Sequence, residues 1–221
     1  MTASGRTVLL AGATSAAGLA IAQALIGAGA RVIASGRSAE RLEPLTDAGA
    51  QAVIADATSL SAMTALGERM GAVDAVIPLV GGWRGGGGLA AQSDADLDAL
   101  LPAFQAVRAT SRAFDAAIRA SDAGRFAIVS STVVTRPLAG GANYASVKAA
   151  SEAWARAVAQ GYAKAARDAA TPLRAASVIL RAKGALEPAT LARAVVGLWD
   201  APAEELNDTV LTLDATAAAT D

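Results

Sequence analysis

RTVLLAGATSAAG, Arg6 to Gly18, is a β-branched and leucine run that stops at glycine and gives way to small residues. Such a run suits a buried strand. The segment after it, from about Ala16 to Ala28, sets Leu19, Ala22, Gln23 and Ile26 at helical spacings. A strand turning into a helix through Gly12, Thr14, Ser15, Ala16 and Gly18 lets backbone approach a phosphate. The helix start there offers free N–H groups and a partial positive charge. In that context the turn points to a dinucleotide; the alternative is a tight strand–helix turn that binds nothing.

The same alternation continues down the chain. GARVIASGR, AQAVIAD, VDAVIPLV, GRFAIVSS, LRAASVIL and DTVLTLDA read as further strands. Helices are expected between them, over SAERLEPLTDAG with Ser38 as N-cap, SLSAMTALGERMG, Ser93 to about Ser121, Ala142 to Arg167, and Pro188 to Trp199. Pro102 is a candidate kink in the long fourth helix. Strand and helix in turn, with short connections, predict a doubly wound α/β sheet, parallel and covered on both faces. Its ligands belong at the carboxyl ends of the strands, where strand order reverses. No internal repeat or linker shows, so residues 1–221 read as one domain.

Composition narrows the chemistry. The chain has 221 residues, 53% hydrophobic and 18% charged, which suits a folded core. A net charge of −1 gives no reason to expect nucleic acid or an anionic membrane as partner. Thr7 to Ala30 is uncharged and long, yet glycines and polar residues interrupt it, so no membrane span or signal is expected and the protein is read as cytoplasmic. Without cysteine or histidine, disulfides, thiolate metal sites, the Ser-His-Asp triad and the common zinc sites are excluded. Acid–base work falls to carboxylates, lysine, tyrosine or a cofactor.

NYASVK, Asn143 to Lys148, carries the strongest chemical signal. Tyr144 and Lys148 stand four apart on an expected helix, so their Cβ atoms lie about 5–6 Å apart on one face. An ammonium there favours phenolate and is expected to lower the tyrosine's proton affinity. Ser131, at the end of FAIVSS, can hydrogen-bond a carbonyl beside Tyr144, or simply satisfy a strand end. At the tip of the second strand no acidic residue follows ASGR. Arg37, with Ser35, suits a 2′-phosphate and hence NADP(H) over NAD(H); the alternative is a solvated arginine.

Together these residues resemble the short-chain dehydrogenase/reductase family over nearly the whole chain. The likeness rests on the turn Gly12 to Gly18, Asp56 after the third strand, Ser131, and the Tyr144/Lys148 pair. It implies a Rossmann fold with a seven-stranded sheet and hydride transfer between NAD(P)H and a carbonyl or alcohol. It further implies Tyr144 as proton donor, Lys148 on the nicotinamide ribose, Ser131 on the substrate carbonyl, and Asp56 at the adenine. Val80 and Gly81 fall where the family's chain passes over the cofactor. Relatives commonly form homodimers or homotetramers through the two long helices, where Trp154 and Tyr162 could pack in an interface or in the core.

The departures from the pattern are specific. Ala16 replaces the middle glycine of the turn, and Pro78, Leu79, Val80 and Gly81 stand where Asn-Asn-Ala-Gly is usual. Ala103 stands where the family's helix asparagine is expected, and the chain after the sixth strand runs almost directly into a helix, without the usual substrate cover. The expected function is NADPH-dependent reduction of a small-molecule carbonyl or similar polarised double bond. A dinucleotide-binding sensor and a non-redox dehydratase or isomerase are the alternatives. The glycine loop GGWRGGGG, Gly81 to Gly88, is then either a cover for substrate, with Trp83 as wall and Arg84 as anion handle, or a plain surface loop.

Overall fold

The computed structural model describes residues 2–184 and 187–214. The strands are β1 (Thr7–Ala11), β2 (Arg31–Gly36), β3 (Gln51–Ile54), β4 (Ala75–Pro78), β5 (Gly124–Ser131), β6 (Ala175–Ala182) and β7 (Thr209–Leu213). Helices α1 (Ala16–Gly27), α2 (Glu43–Asp47), α3 (Leu60–Met70), α4 (Asp94–Ala120), α5 (Ala142–Asp168), α6 (Pro188–Val196) and α7 (Ala203–Leu206) connect them. The sheet order is β3-β2-β1-β4-β5-β6-β7 and every pairing is parallel. This is the Rossmann-type seven-stranded sheet anticipated from the sequence. Strand order reverses between β1 and β4, which opens a crevice at their carboxyl ends.

Alternation along β1 explains why the sheet needs two layers of helix. Val8 and Leu10 point into one apolar core with Ile21, Leu25 and Trp199, while Leu9 and Ala11 point into the other with Phe114, Phe126 and Tyr162. Tyr162 is therefore a core residue. Trp154 is half-buried; its ring meets Phe104 edge-on at 6.2 Å and its indole N–H donates to Ser111. Among the described residues, no helix is long and apolar enough to cross a membrane.

Three segments differ from expectation. The helix expected over Ser38 to Gly49 is split into a 3-10 turn, Glu40–Leu42, and the short α2. Pro44 is the cause: it has no N–H for a continuing ladder and sits at the start of α2 instead. Helix α6 ends at Val196 and passes into a 3-10 turn, Gly197–Trp199, and the brief α7 was not anticipated. Strand β7 starts one residue late because Asp208 takes a left-handed φ of 64°; Ala215, the end of the expected strand, lies outside the described residues. Helix α4 continues through Pro102. Between β6 and α6 only residues 183–187 intervene, too few to form a cover of their own, and Ala185 and Leu186 lie outside the described residues.

Candidate active site

Two connected cavities occupy the crevice, of about 450 and 210 Å³, sharing Ser15, Leu79, Val80, Gly81 and Ala103 as walls. The first lies over the β1–α1 turn. Gly12 adopts φ +77°, and a Cβ there would stand 2.4 Å from Val80 Cγ2. A Cβ on Gly18 would lie 2.0 Å from the carbonyl oxygen of Ala13. Only glycine lets the turn close at both places. Ser15 caps α1, its hydroxyl accepting from Gly18 N–H at 3.2 Å. Ala16 is the first helical residue and is exposed, not a wall of either cavity.

Thr14, Arg37, Ser38, Arg41 and Asp56 complete the far end of this cavity. Arg37 is exposed at the tip of β2, as expected. Ser35 is not its companion: it is fully buried in β2 and its hydroxyl has no partner. Arg41 takes that place, its guanidinium donating to the Thr14 carbonyl at 3.4 Å. In the sequence Arg41 was visible only as a helix residue, and the break at Pro44 is what leaves it in a turn beside the cavity. Asp56 is held by Thr58, whose N–H and hydroxyl both donate to Oδ1, at 2.9 and 2.8 Å.

The second cavity is bounded by Tyr144 and Lys148 of α5, Ala103 and Val107 of α4, and Val129 of β5. Lys148 Nζ lies 5.7 Å from the centre of the Tyr144 ring and donates to the Val129 carbonyl at 2.8 Å. Burial draws the lysine pKa down to about 8, against the opposing pull of Glu152. The tyrosine moves the other way from the sequence expectation. Burial raises its pKa above the usual phenol range, and hydrogen bonding to Ser131 only partly offsets that. At neutral pH this pair is thus a protonated phenol and a largely protonated amine. Ala103 faces the site, where it presents a methyl group and no polar atom.

Glu152 is a site neighbour that the sequence did not flag. It is buried one helical turn beyond Lys148 and accepts from Ser130 Oγ at 2.6 Å. Arg181 of β6 donates to both its oxygens, at 3.0 and 2.6 Å. Its spacing of four from Lys148 was the available signal. Trp83 and Arg84, by contrast, are not brought to the site. Trp83 is 61% exposed, Arg84 donates to the Trp83 carbonyl, and neither lines the cavities, whose edge is formed by Gly81 and Gly82.

Residues 6–166 match the short chain dehydrogenase family. The chain belongs to that family of dehydrogenases. Solved structures agree in fold. A metagenomic short-chain oxidoreductase in complex with NADP is 25% identical, with a TM-score of 0.78 over 99% of this chain and 100% of its own. A gluconate 5-dehydrogenase from Burkholderia cenocepacia, in complex with NADP and tartrate, is 20% identical, with a TM-score of 0.80 over 98% and 97%. A short-chain type dehydrogenase/reductase from Mycobacterium ulcerans is 15% identical, with a TM-score of 0.83 over 97% and 90%. No curated protein matches the chain.

Proposed function

We propose that this protein is an NADPH-dependent reductase of a ketone, aldehyde or similarly polarised double bond. The observation that carries the proposal is Tyr144: a half-buried phenol, its pKa raised by burial, next to Ser131 and Lys148 at the edge of the crevice. The crevice fits a dinucleotide, because Gly12 and Gly18 leave a close backbone cradle at the start of α1. Gly12, Thr14 and Ser15 would face the pyrophosphate, with Gly18 closing the turn beneath them and Ala16 outside the cavity wall, Asp56 would face the adenine, and Val80 and Gly81 the nicotinamide half. Arg37 and Arg41, with no acidic residue at the β2 tip, favour a 2′-phosphate and hence NADP(H). The NADP bound to the metagenomic and Burkholderia proteins accords with this choice.

When bound, NADPH supplies the hydride for the substrate carbon. Ser131 donates to the carbonyl oxygen and orients it, and Tyr144 gives that oxygen its proton as negative charge develops. Lys148 holds positive charge beside the phenol and would hold the nicotinamide ribose. Ala103 offers no side-chain hydrogen bond for a proton-relay water. The chain works as one cytoplasmic domain, paired through α4 and α5 into a homodimer or homotetramer.

The test is NADPH oxidation over a panel of ketones, aldehydes and imines, with Tyr144→Phe as control. Turnover that survives Tyr144→Phe would sink the proton-donor role. The methyl group at Ala103 favours one second reading, a dinucleotide sensor with little turnover. NADPH binding without oxidation of any panel member would select it.

A further inference from the structure

Helix α5 carries Tyr144 and Lys148, yet its own N-cap residue, Gly141, has no side chain to cap it. The cap comes from just beyond the glycine loop. Gln92 Oε1 accepts from the N–H of Asn143 at 3.2 Å, the residue immediately before Tyr144. The same amide's Nε2 donates to the carbonyls of Gly86, Gly88 and Gly140, at 3.2, 3.4 and 3.0 Å. Gly86, Gly87 and Gly88 have φ of +128°, +66° and +82°, a run that only glycine sustains, and it turns two of those carbonyls onto Gln92. Gly86 N–H donates to Gly140 O at 2.7 Å, and Asn143 Nδ2 donates to Ser93 O at 3.0 Å, at the start of α4. One side chain thus ties the glycine loop and the segment before α5 to the first turn of α5.

We propose that Gln92 is a positioning residue for Tyr144, capping α5 from just beyond the glycine loop and holding that loop fixed against the segment before α5. The proposal rests on the reductase reading for its kinetic consequence only. Loss of the cap frees an N–H in the first turn and lets the helix start fray, which moves the phenol and leaves the β1–α1 cradle untouched.

The test compares full-length Gln92→Ala with wild type. In the variant, Asn143 amide exchange should rise and kcat fall, each by about tenfold, with NADPH Kd unchanged. The Tyr144 ring resonance should shift. Unchanged Asn143 exchange or an unmoved Tyr144 resonance would overturn the proposal, as would a loss confined to NADPH affinity. If wild type reduces no carbonyl, the reductase reading fails, and exchange and the Tyr144 resonance still decide whether Gln92 positions the phenol.

Discussion

Replacing Lys148 with methionine should stabilise the protein while impairing it. The ammonium is buried, donates to one carbonyl of Val129, and has a pKa drawn from 10.5 to about 8. At pH 7 that displacement corresponds to about 3 kcal/mol spent holding the charge out of water. Methionine has similar reach and no charge, so it removes this cost. It also orphans the Val129 carbonyl, which returns about 1–2 kcal/mol of the gain. The net is about 1–2 kcal/mol in favour of Lys148→Met, or about 2–8 °C in Tm for a chain of this size. The pH dependence gives the sharper test. Below pH 8 the lysine is charged in folded and unfolded states alike, and the cost is fully present. From about 8 to 10.5 the folded lysine is neutral while the unfolded one still holds its proton, so wild type gains stability as pH rises. The advantage of methionine should shrink above pH 8 and reverse near about pH 9. Thermal unfolding of both proteins from pH 6.5 to 10 measures this, with carbonyl reduction followed in parallel. A methionine variant less stable than wild type at pH 7, or a pH-independent difference, would refute the reasoning.

Other perturbations separate cradle, cofactor choice and scaffold. Gly18→Ala would force a Cβ to within 2.0 Å of the Ala13 carbonyl oxygen, so it should cost at least about 2 kcal/mol by denaturant titration and weaken NADPH binding. Arg37→Ala and Arg41→Ala should each weaken NADPH about tenfold by fluorescence titration and leave NADH unchanged; an equal loss for both cofactors would remove the 2′-phosphate assignment. Arg125 is the converse of Lys148. It is fully buried with its pKa lowered to about 10, but it donates to four carbonyls, those of Leu198, Gly124, Arg174 and Ala201. Four orphaned acceptors outweigh the relief of one buried charge, so Arg125→Met should destabilise by about 2–4 kcal/mol, read as a lower denaturant midpoint.

What could be read from the sequence was whatever local period and local chemistry determine. The continuous apolar run over Thr7–Ala11 and the four-residue step from Tyr144 to Lys148 need no tertiary information; the first is a buried strand and the second lies on one helix. The tyrosine's pKa direction does need it, because spacing reports only the neighbouring charge. Burial of the phenol is set by packing across α4, α5 and β5, and there it is the larger effect. Glu152 and Arg181 lie 29 residues apart, and Gln92 and Asn143 lie 51 apart. Each pair meets only because a parallel sheet brings successive helices and strand ends to one edge. The glycine loop illustrates both sides. Its composition marked it as unusual, and its place after β4 put it beside the crevice. That composition does not say that Trp83 faces outward while three positive-φ glycines wrap Gln92. Trp83 and Arg84 are the chemically distinctive side chains of the loop, whereas the residue that reaches α5 is an ordinary glutamine four residues beyond it. In a loop built of backbone, carbonyls supply most of the polar contacts, so an amide that both donates and accepts is the side chain best suited to organise it.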